Sequence, residues 1–408
     1  MNYIFIDSVD GVSKVGIVEE NRLVEYYTQE ENKEKLVGNI YRARIETVLQ
    51  GMEAAFVDIG EGKNAYLYVK DALNREQTYS KEKYAINEVV KGGQEIIVQV
   101  IKESQATKGP KVTARISIPG RYLVLTPFSS KISVSRRILG FKAVSRLKIL
   151  GEKIVKDNMG LIFRTMAEDV DESLLIDEYN LLWDIYNRIE REINFLPCPK
   201  LLYRELDLVY QIVRDSFNDK NHRIIVNNKD IYEKLLLLED YFSYNLGEKI
   251  TLDKNFSMEK EIDLERDLNE ALERRVSLKS GGHIVIDETE ALTAIDVNTG
   301  KYVGGYSLEE TISITNIEAA EEILRQIRLR DIGGIIIVDF IDMKNEINIS
   351  KVLSKLHDNL NKDRNKPSVV GITKLGLVEI TRKRIRPTLE GRTSKVCPNC
   401  KGSGRVSK

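Results

Sequence analysis

The chain opens with apolar and polar positions in alternation. In residues 1–35, Tyr3, Phe5, Val15 and Ile17 lie among polar neighbours, and this period of two predicts two or three strands. Residues 36–118 continue the rhythm in five short runs separated by glycines, which predicts a small closed barrel of the OB type. Residues 119–215 mix short apolar runs with a long helix near 172–194.

A clearer pattern covers residues 279–342. HIVIDE and ALTAIDVN predict a pair of strands, and Ser307 with Glu310 forms a capping box that begins a helix. The helix ends at Gly333, and the apolar run GGIIIVDF follows. Strand, crossover helix and buried strand make a βαβ unit, so we expect the two strands to be parallel neighbours.

Two carboxylates end these strands. Asp296 follows ALTAI and Asp339 follows IIIV, so both fall at the carboxyl edge of the sheet, where open α/β sheets place their sites. Asn298 shares a strand face with Asp296. Paired carboxylates need a cation or hydrogen bonds, and Mg²⁺ is held by one or two carboxylates plus water and phosphate. The alternative is that both are ordinary turn or cap residues.

The amino-acid composition narrows the possible classes of protein. The chain is 42% hydrophobic and 31% charged, which is ordinary for a soluble globular protein. No apolar run approaches the roughly 18 residues of a membrane span, and the N-terminus lacks the basic start and cleavage site of a secretion signal. Three cysteines in 408 residues argue against a disulfide framework. These features predict a cytoplasmic protein.

The distribution of charged residues along the chain is more informative than the net charge of −1. Between residues 100 and 150 the only acid is Glu103, and residues 362–408 are also basic. The basic residues of the first stretch are Lys102, Lys108, Lys111, Arg115, Arg121, Lys131, Arg136, Arg137, Lys142, Arg146 and Lys148. Such a run predicts contact with a polyanion, although a solvated surface is the ordinary alternative.

Candidate nucleic-acid contacts lie on the predicted barrel. Phe56 and Tyr66 fall on neighbouring strands, and Lys102 and Lys108 flank the next loop. Barrels of this type bind single strands with aromatic platforms and a basic groove. The alternative is that either aromatic residue belongs to the barrel core.

CPNCKGSG near the end holds Cys397 and Cys400. CxxC followed by a GxG turn is half of a zinc site, and a structural zinc needs two further ligands. The third cysteine, Cys198, lies far upstream. The site is therefore incomplete, completed by a second copy of the chain, or a redox pair. A redox pair is disfavoured because the surrounding sequence is a short basic tail.

These residues together resemble a known family. SGGHIVIDETEALTAIDVNTG, EAAEEILRQIRLRDIGGIIIVDFIDM and the terminal CPNCKGSG are similar to the ribonuclease E/G family, as are EAAFVDIG and SRRI. The resemblance covers essentially the whole chain. It implies that Asp296 and Asp339 hold Mg²⁺, with Asn298 in support. It further implies that an S1 barrel clamps RNA through Phe56, Tyr66 and Lys108, with Tyr66 where the family commonly has Phe.

The resemblance also implies a pocket for an RNA 5′-monophosphate. Its matching positions are Arg164 and Thr165 in IFRT, with backbone near Gly120 and Val124. A further basic residue contributes in relatives, and Arg364 or Lys366 is the candidate here. The implied fold class is a multidomain α/β protein with a split RNase H-like fold, an inserted S1 (OB) barrel and 5′-sensor region, a DNase I-like catalytic unit and a CxxC zinc link. The implied boundaries are 1–35 and 215–278 (RNase H-like), 36–118 (barrel), 119–214 (sensor), 279–393 (catalytic) and 394–408 (zinc link).

The function implied is an Mg²⁺-dependent endoribonuclease that hydrolyses single-stranded A/U-rich RNA, stimulated by a 5′-monophosphate, in rRNA maturation and mRNA decay. Two chains would share one Zn²⁺ in a homodimer, and no tetramer is expected because no small domain follows the zinc link before Lys408. One rival is an RNA-binding protein without catalysis, against which Asp296, Asn298 and Asp339 together argue. The other is a metal-dependent DNA nuclease, against which the S1-type barrel and the lack of a DNA-groove helix argue.

Overall fold

The computed structural model describes residues 2–30, 35–80, 82–103, 109–193, 197–217, 222–239, 246–300, 308–360, 363–365, 367–395 and 397–400. The strands are β1 (Asn2–Val9), β2 (Val12–Glu19), β3 (Arg22–Glu30), β4 (Ile40–Leu49), β5 (Ala54–Asp58), β6 (Ala65–Tyr68), β7 (Glu95–Lys102), β8 (Lys111–Thr113), β9 (Ile118–Pro119), β10 (Leu123–Thr126), β11 (Ile132–Val134), β12 (Gly160–Phe163), β13 (Lys200–Tyr203), β14 (His222–Val226), β15 (Ile250–Leu252), β16 (Arg275–Ser277), β17 (His283–Glu288), β18 (Leu292–Asn298), β19 (Gly334–Asp339), β20 (Ser368–Ile372) and β21 (Val378–Arg382). The helices are α1 (Val69–Ala72), α2 (Arg75–Tyr79), α3 (Ile86–Val89), α4 (Phe141–Ile154), α5 (Glu172–Ile193), α6 (Leu208–Ser216), α7 (Lys229–Leu237), α8 (Met258–Glu261), α9 (Leu264–Glu270), α10 (Leu308–Leu329), α11 (Glu346–Leu360) and α12 (Leu389–Thr393).

The chain forms two compact units. Unit 1 combines residues 1–28, 220–229 and 249–408, and unit 2 combines 29–219 with 230–248. Each unit therefore joins segments that are distant in sequence. Of the helices that the structure describes, none has the length and apolar character needed to cross a membrane.

The first sheet of unit 1 has the order β15-β14-β1-β2-β3. β1 pairs antiparallel with β2 and parallel with β14, and β14 pairs parallel with β15. Ile4 and Ile6 of β1 are fully buried. Asp7 is buried beside them, where its carboxylate accepts hydrogen bonds from Asn227 Nδ2 (2.7 Å) and the Met258 N–H (2.9 Å). These bonds fasten the segment around α8 to the sheet.

The second sheet of unit 1 has the order β16-β17-β18-β19-β21-β20. β18 and β19 are parallel and α10 connects them, so the βαβ prediction is confirmed; Ser307, where we expected the helix to begin, lies outside the described residues. One face of the sheet packs against α10 and α11, with Ile295, Val338 and Leu356 in the shared core. The other face carries the alternate residues, which are exposed or half-buried.

A closed barrel forms the first part of unit 2. Its strands follow the order β4-β5-β6-β8-β7, and β7 pairs back to β4. Five strands therefore close on themselves, which confirms the barrel expected from the alternation. β8 is shorter than the run KVTARISI predicts. It ends early because the N–H of Ala114 donates to the Asp71 carbonyl (2.8 Å) instead of to a neighbouring strand. β13 adds a further strand beside β4.

The rest of unit 2 is built on a small sheet of order β11-β12-β10-β9. α4 and α5 pack against it, and Leu123, Leu161 and Phe163 are among its fully buried residues. The helix near 172–194 is confirmed as α5. Its buried stripe runs through Leu175, Glu178, Tyr179, Leu182, Ile185, Tyr186 and Ile189, so one acidic residue faces the core.

Candidate functional site

The carboxylate pair lies at the centre of the second sheet of unit 1. Asp296 and Asp339 are register partners on the parallel strands β18 and β19. Their neighbours Ile295, Val297 and Val338 point into the core, so the two carboxylates point to the open face. Neither carboxylate has an ion-pair partner among the described residues, and a bound cation could balance the charge of the pair.

Asn298 is tied to this pair. Its Nδ2 donates to Asp296 Oδ2 at 2.7 Å, which orients both side chains and leaves the Oδ1 atom of each for another ligand. Two acids and an amide with free oxygen atoms are the donors that Mg²⁺ prefers. The site falls short of three acids, since the described part of the chain contains no cluster of three or more His, Cys, Asp or Glu suited to a metal.

Sequence reasoning missed His283, which faces Asn298 across β17 and β18. The guanidinium of Arg275 lies 3.3 Å from His283 Nδ1. Burial and Arg275 lower the pKa of His283, and Asp296 acts in the opposite direction. The alternation in HIVIDE gave a signal, because it places His283 on the same face as Asp296 once the two strands pair antiparallel.

A second missed residue holds the loop after Asp339. Asn316 is fully buried in α10, and its side chain donates to the Ile341 carbonyl (2.8 Å) and accepts from the Ile341 N–H (3.1 Å). The carboxylate of Glu309 accepts from the N–H groups of Lys344 and Asn345. These bonds fix the chain where it leaves the sheet. The signal in the sequence was that polar residues such as Asn316 interrupt the apolar positions of α10.

The two cysteines of the CxxC motif lie together in unit 1. Hydrogen bonds from the N–H groups of Cys400 and Asn399 lower the pKa of the exposed Cys397 thiol. Such bonds favour the thiolate, which is the form that binds a metal. Cys198 belongs to unit 2, where its charged neighbours are Glu95, Arg44 and Arg42. The motif supplies two ligands, half of what a structural zinc needs.

The barrel brings the expected RNA contacts together. Phe56 and Tyr66 are direct register partners on β5 and β6 and alternate with core residues. Tyr66 also pairs with Lys111, which pairs with Lys102 on β7. Lys111, which we had not singled out as a contact, is bound to Asp71 at 2.7 Å. Lys108 lies outside the described residues.

The candidate 5′-phosphate residues all lie in the second part of unit 2, and Arg164 and Gly120 are in contact. Arg164 Nη1 donates to the Gly120 carbonyl (2.5 Å) and to Asp215 Oδ1 (2.8 Å). Thr165 Oγ1 lies 2.8 Å from Ser135 Oγ, and Val124 pairs with Ile162 of the next strand. Burial opposes ionisation of Asp215, but Arg164 and Arg214 hold its pKa well below the usual range. Arg164 therefore has an internal counter-ion.

Glu178 shapes the turn beside Arg164. Its carboxylate accepts from the N–H groups of Arg121 (2.6 Å), Tyr122 (2.9 Å) and Leu123 (2.7 Å). A Cβ on Gly120 would lie 2.7 Å from the carboxyl carbon of Glu178, so this turn requires glycine. Burial raises the pKa of Glu178 to about 7, against the lowering effect of these donors. Three amides of the turn are thus occupied by an acid of the chain itself.

Arg364, one of the two candidates for an extra phosphate contact, stacks on Tyr27 in unit 1. Its guanidinium carbon lies 4.6 Å from the ring centre, and its Nε lies 3.7 Å from Glu25. Arg386 is also 4.6 Å from the same ring. Lys366, the other candidate, lies outside the described residues.

Known proteins similar to this chain show which family it belongs to. The model of the "Ribonuclease E/G family" matches residues 117–385. Ribonuclease G of Escherichia coli (strain K12) is 39% identical over 404 residues, 97% of this chain and 82% of that protein. Ribonuclease G of Haemophilus influenzae is 40% identical over 402 residues, with the same two shares. Ribonuclease E of Nostoc sp. (strain PCC 7120) is 35% identical over 404 residues, 96% of this chain and 58% of that protein.

The relatives indicate an endoribonuclease with a role in RNA processing. The chain belongs to the ribonuclease E/G family.

Proposed function

We propose that this endoribonuclease is Mg²⁺-dependent and hydrolyses internal phosphodiester bonds of single-stranded RNA at the Asp296–Asp339 edge. The observation that carries the proposal is the in-register carboxylate pair on the open face of a sheet, without an ion-pair partner among the described residues. Asp296, Asp339 and Asn298 would hold the ion. A bound Mg²⁺ supplies Lewis acidity and lowers the pKa of water.

The residues of the chain have separate tasks in this reaction. Asp296 and Asp339 supply negative charge at a fixed spacing, and Asn298 orients Asp296 through its 2.7 Å bond. Asn316 holds the loop that follows Asp339. Water adds to phosphorus as the bond to the 3′-oxygen breaks, and that oxygen leaves with a proton. The products carry 5′-phosphate and 3′-hydroxyl ends.

We infer that the barrel presents the substrate. Phe56 and Tyr66 are adjacent aromatic side chains, and Lys111 lies in register between Tyr66 and Lys102. Aromatic rings near basic residues suit stacked bases and a phosphate backbone. Unpaired, A/U-rich segments are the proposed sites of cleavage, because only unpaired bases can stack on such a surface. Maturation of rRNA and decay of mRNA in the cytoplasm are the proposed settings.

A preference for 5′-monophosphorylated RNA is part of the proposal. Arg164 contacts the turn that begins at Gly120 and leads to Val124, with Thr165 next to it in the chain, and a guanidinium suits a phosphate. Arg164 is also bound to Asp215, and a purely structural ion pair is the alternative role for it. The amides of residues 121–123 are taken by Glu178, so the pocket would rely on side chains more than on these backbone groups.

The architecture implied by the family is proposed on similar grounds. The order β15-β14-β1-β2-β3, in which β1 is antiparallel to β2 and β1, β14 and β15 are parallel, supports an RNase H-like sheet. The sheet around β18 and β19 would be the DNase I-like unit. Cys397 and Cys400 of two chains would bind one Zn²⁺ and join a homodimer.

Matched single-stranded RNA and DNA oligomers, each with and without Mg²⁺, test the proposal. We expect cleavage of RNA only, and only with Mg²⁺. Binding of RNA without cleavage under all conditions would favour an RNA-binding protein, and cleavage of DNA at a similar rate would favour a general nuclease. Either result would contradict the proposed reaction.

A further inference from the structure

Unit 2 exposes large apolar side chains at the start of α4. Leu139 is 87% exposed, Phe141 is 84% exposed and Ile149 is 66% exposed, whereas Leu147 and Leu150 of the same helix are buried. Residues seven and eight positions after Phe141 return to the same side of a helix. Phe141, Lys142, Lys148 and Ile149 therefore lie on one side of α4, and Leu139 precedes the helix by two residues. These five residues are called the α4 strip below. Clustered exposed apolar residues mark interaction sites.

The sequence around the α4 strip is basic, and a nearby acid of another segment is Glu168, whose Oε1 would lie 3.9 Å from a Cβ on Gly140. From residue 131 to 153 the only acid is Glu152, and the basic residues are Lys131, Arg136, Arg137, Lys142, Arg146, Lys148 and Lys153. Arg146 is engaged, since it donates to the carbonyls of Val170 and Glu168. Lys142 and Lys148 are exposed and form no ion pair with any residue that the structure describes. Their charges are available to a polyanion.

Hydrogen bonds hold the segment that carries the α4 strip in place. Ser135 binds Thr165 through the two hydroxyls at 2.8 Å, and its N–H donates to the Phe163 carbonyl. The bonds of Arg146 fasten α4 to the same stretch of chain. The surface is therefore held in place next to the segment that carries Arg164 and Thr165, and the strip begins four residues after Ser135.

We propose that the α4 strip is a contact surface for single-stranded RNA, separate from the barrel. Phe141 offers a stacking platform for a base, and Lys142 and Lys148 face the phosphates. An aromatic ring between cations is the combination that binds single strands. A protein partner is the weaker fit, because lysine is depleted in the cores of protein interfaces. The proposal needs only that RNA is the substrate and does not depend on the metal or on 5′-end preference.

Fluorescence anisotropy with a 5′-hydroxyl single-stranded RNA tests the strip. The measurement contains a chelator, and a gel confirms that the RNA stays intact. We expect Phe141→Ala to raise Kd about fivefold to tenfold, in line with the loss of one stacked base. Phe141→Trp should retain the affinity. Leu237→Ala removes an equally exposed side chain of unit 2 (81% exposed, on α7) and should leave Kd unchanged.

Two further readouts separate stacking from charge. RNA that carries 2-aminopurine should lose part of its fluorescence change with Phe141→Ala. The double variant Lys142→Ala, Lys148→Ala should reduce the slope of log affinity against log salt by about 1.4, since each single-strand phosphate contact contributes about 0.7. An unchanged Kd for Phe141→Ala overturns the proposal. So does a change in self-association, measured by sedimentation, while RNA affinity stays intact, because the strip would then be a protein interface.

Discussion

Asp296 of unit 1 and Arg164 of unit 2 are both charged side chains beside small sheets, but their surroundings differ. Asp296 has an amide neighbour and a second carboxylate in register. Arg164 has the carboxylate of Asp215 and the carbonyl of Gly120. The carboxylates of the first site have no ion-pair partner among the described residues, whereas the charge of Arg164 is largely balanced within the protein. Loss of Asp296 should therefore remove a function, and loss of Arg164 should only adjust one.

The largest effect should come from the carboxylate pair. Asp296→Asn or Asp339→Asn removes a metal-binding charge with little change of volume, so cleavage should fall at least about 100-fold while RNA affinity stays nearly unchanged. Single-turnover cleavage and anisotropy measure the two quantities. Asp287→Asn is the matched control, since Asp287 lies on the neighbouring strand and is bound to Arg274 instead. Rapid cleavage by either site variant would show that the metal is held elsewhere.

The cysteines should control assembly. We expect one zinc for every two chains and a dimer that weakens on chelation, in the double variant Cys397→Ser, Cys400→Ser, and in acid, where the thiolates become protonated. Metal analysis and sedimentation measure this, with Cys198→Ser as a control that should keep both zinc and dimer. A dimer without zinc, or one zinc in every monomer, would contradict the shared site.

Arg164 should have a smaller effect, limited to the 5′ end. A 5′-monophosphorylated oligomer should be cut faster than its 5′-hydroxyl twin, and Arg164→Ala should remove most of a difference of about tenfold, the value of one charge-assisted contact. Cleavage of the 5′-hydroxyl oligomer should barely change. Equal rates on the two oligomers in the unmodified enzyme would instead make Arg164 a structural ion-pair partner of Asp215.

The last effect should come from Glu178, and it should be on stability rather than on cleavage or assembly. Its pKa is about 7 when folded against a reference of 4.5, so the proton is bound more tightly in the folded state. The resulting stability is complete below pH 4.5 and is lost as the pH rises through about 7, by at most about 1.4 kcal/mol per pH unit. Relative to Glu178→Gln, the unmodified unit 2 should therefore weaken between pH 5 and pH 8.

Urea unfolding measures this, because the single tryptophan, Trp183, lies in α5 of unit 2. Glu172→Gln, which changes an exposed acid at the start of the same helix, is the control. Parallel pH profiles for the unmodified chain and Glu178→Gln would mean that Glu178 keeps the same protonation state on folding.

Local patterns predicted much of this molecule. The alternation in residues 36–118 was enough for the barrel, and strand, helix and strand in residues 279–342 were enough to place Asp296 beside Asp339. Glu178, Asp215 and His283 were missed because their partners lie on other elements, and only the tertiary register brings them together. Glu178 had left one signal, since it falls on the apolar stripe of α5 between Leu175 and Leu182, where an acid needs buried donors.

The position of β1 has a consequence for biosynthesis. β1 is the central strand of its sheet, yet its parallel partner β14 begins at His222. At ordinary translation rates the ribosome needs roughly 10 to 40 s to make the intervening chain. Throughout that time the apolar hairpin of β1 and β2 has an unpaired edge, which is prone to aggregation. The barrel can close meanwhile, since all of its strands lie between residues 40 and 113. Folding of the nascent chain should thus begin in the middle, with the N-terminal strands completed late.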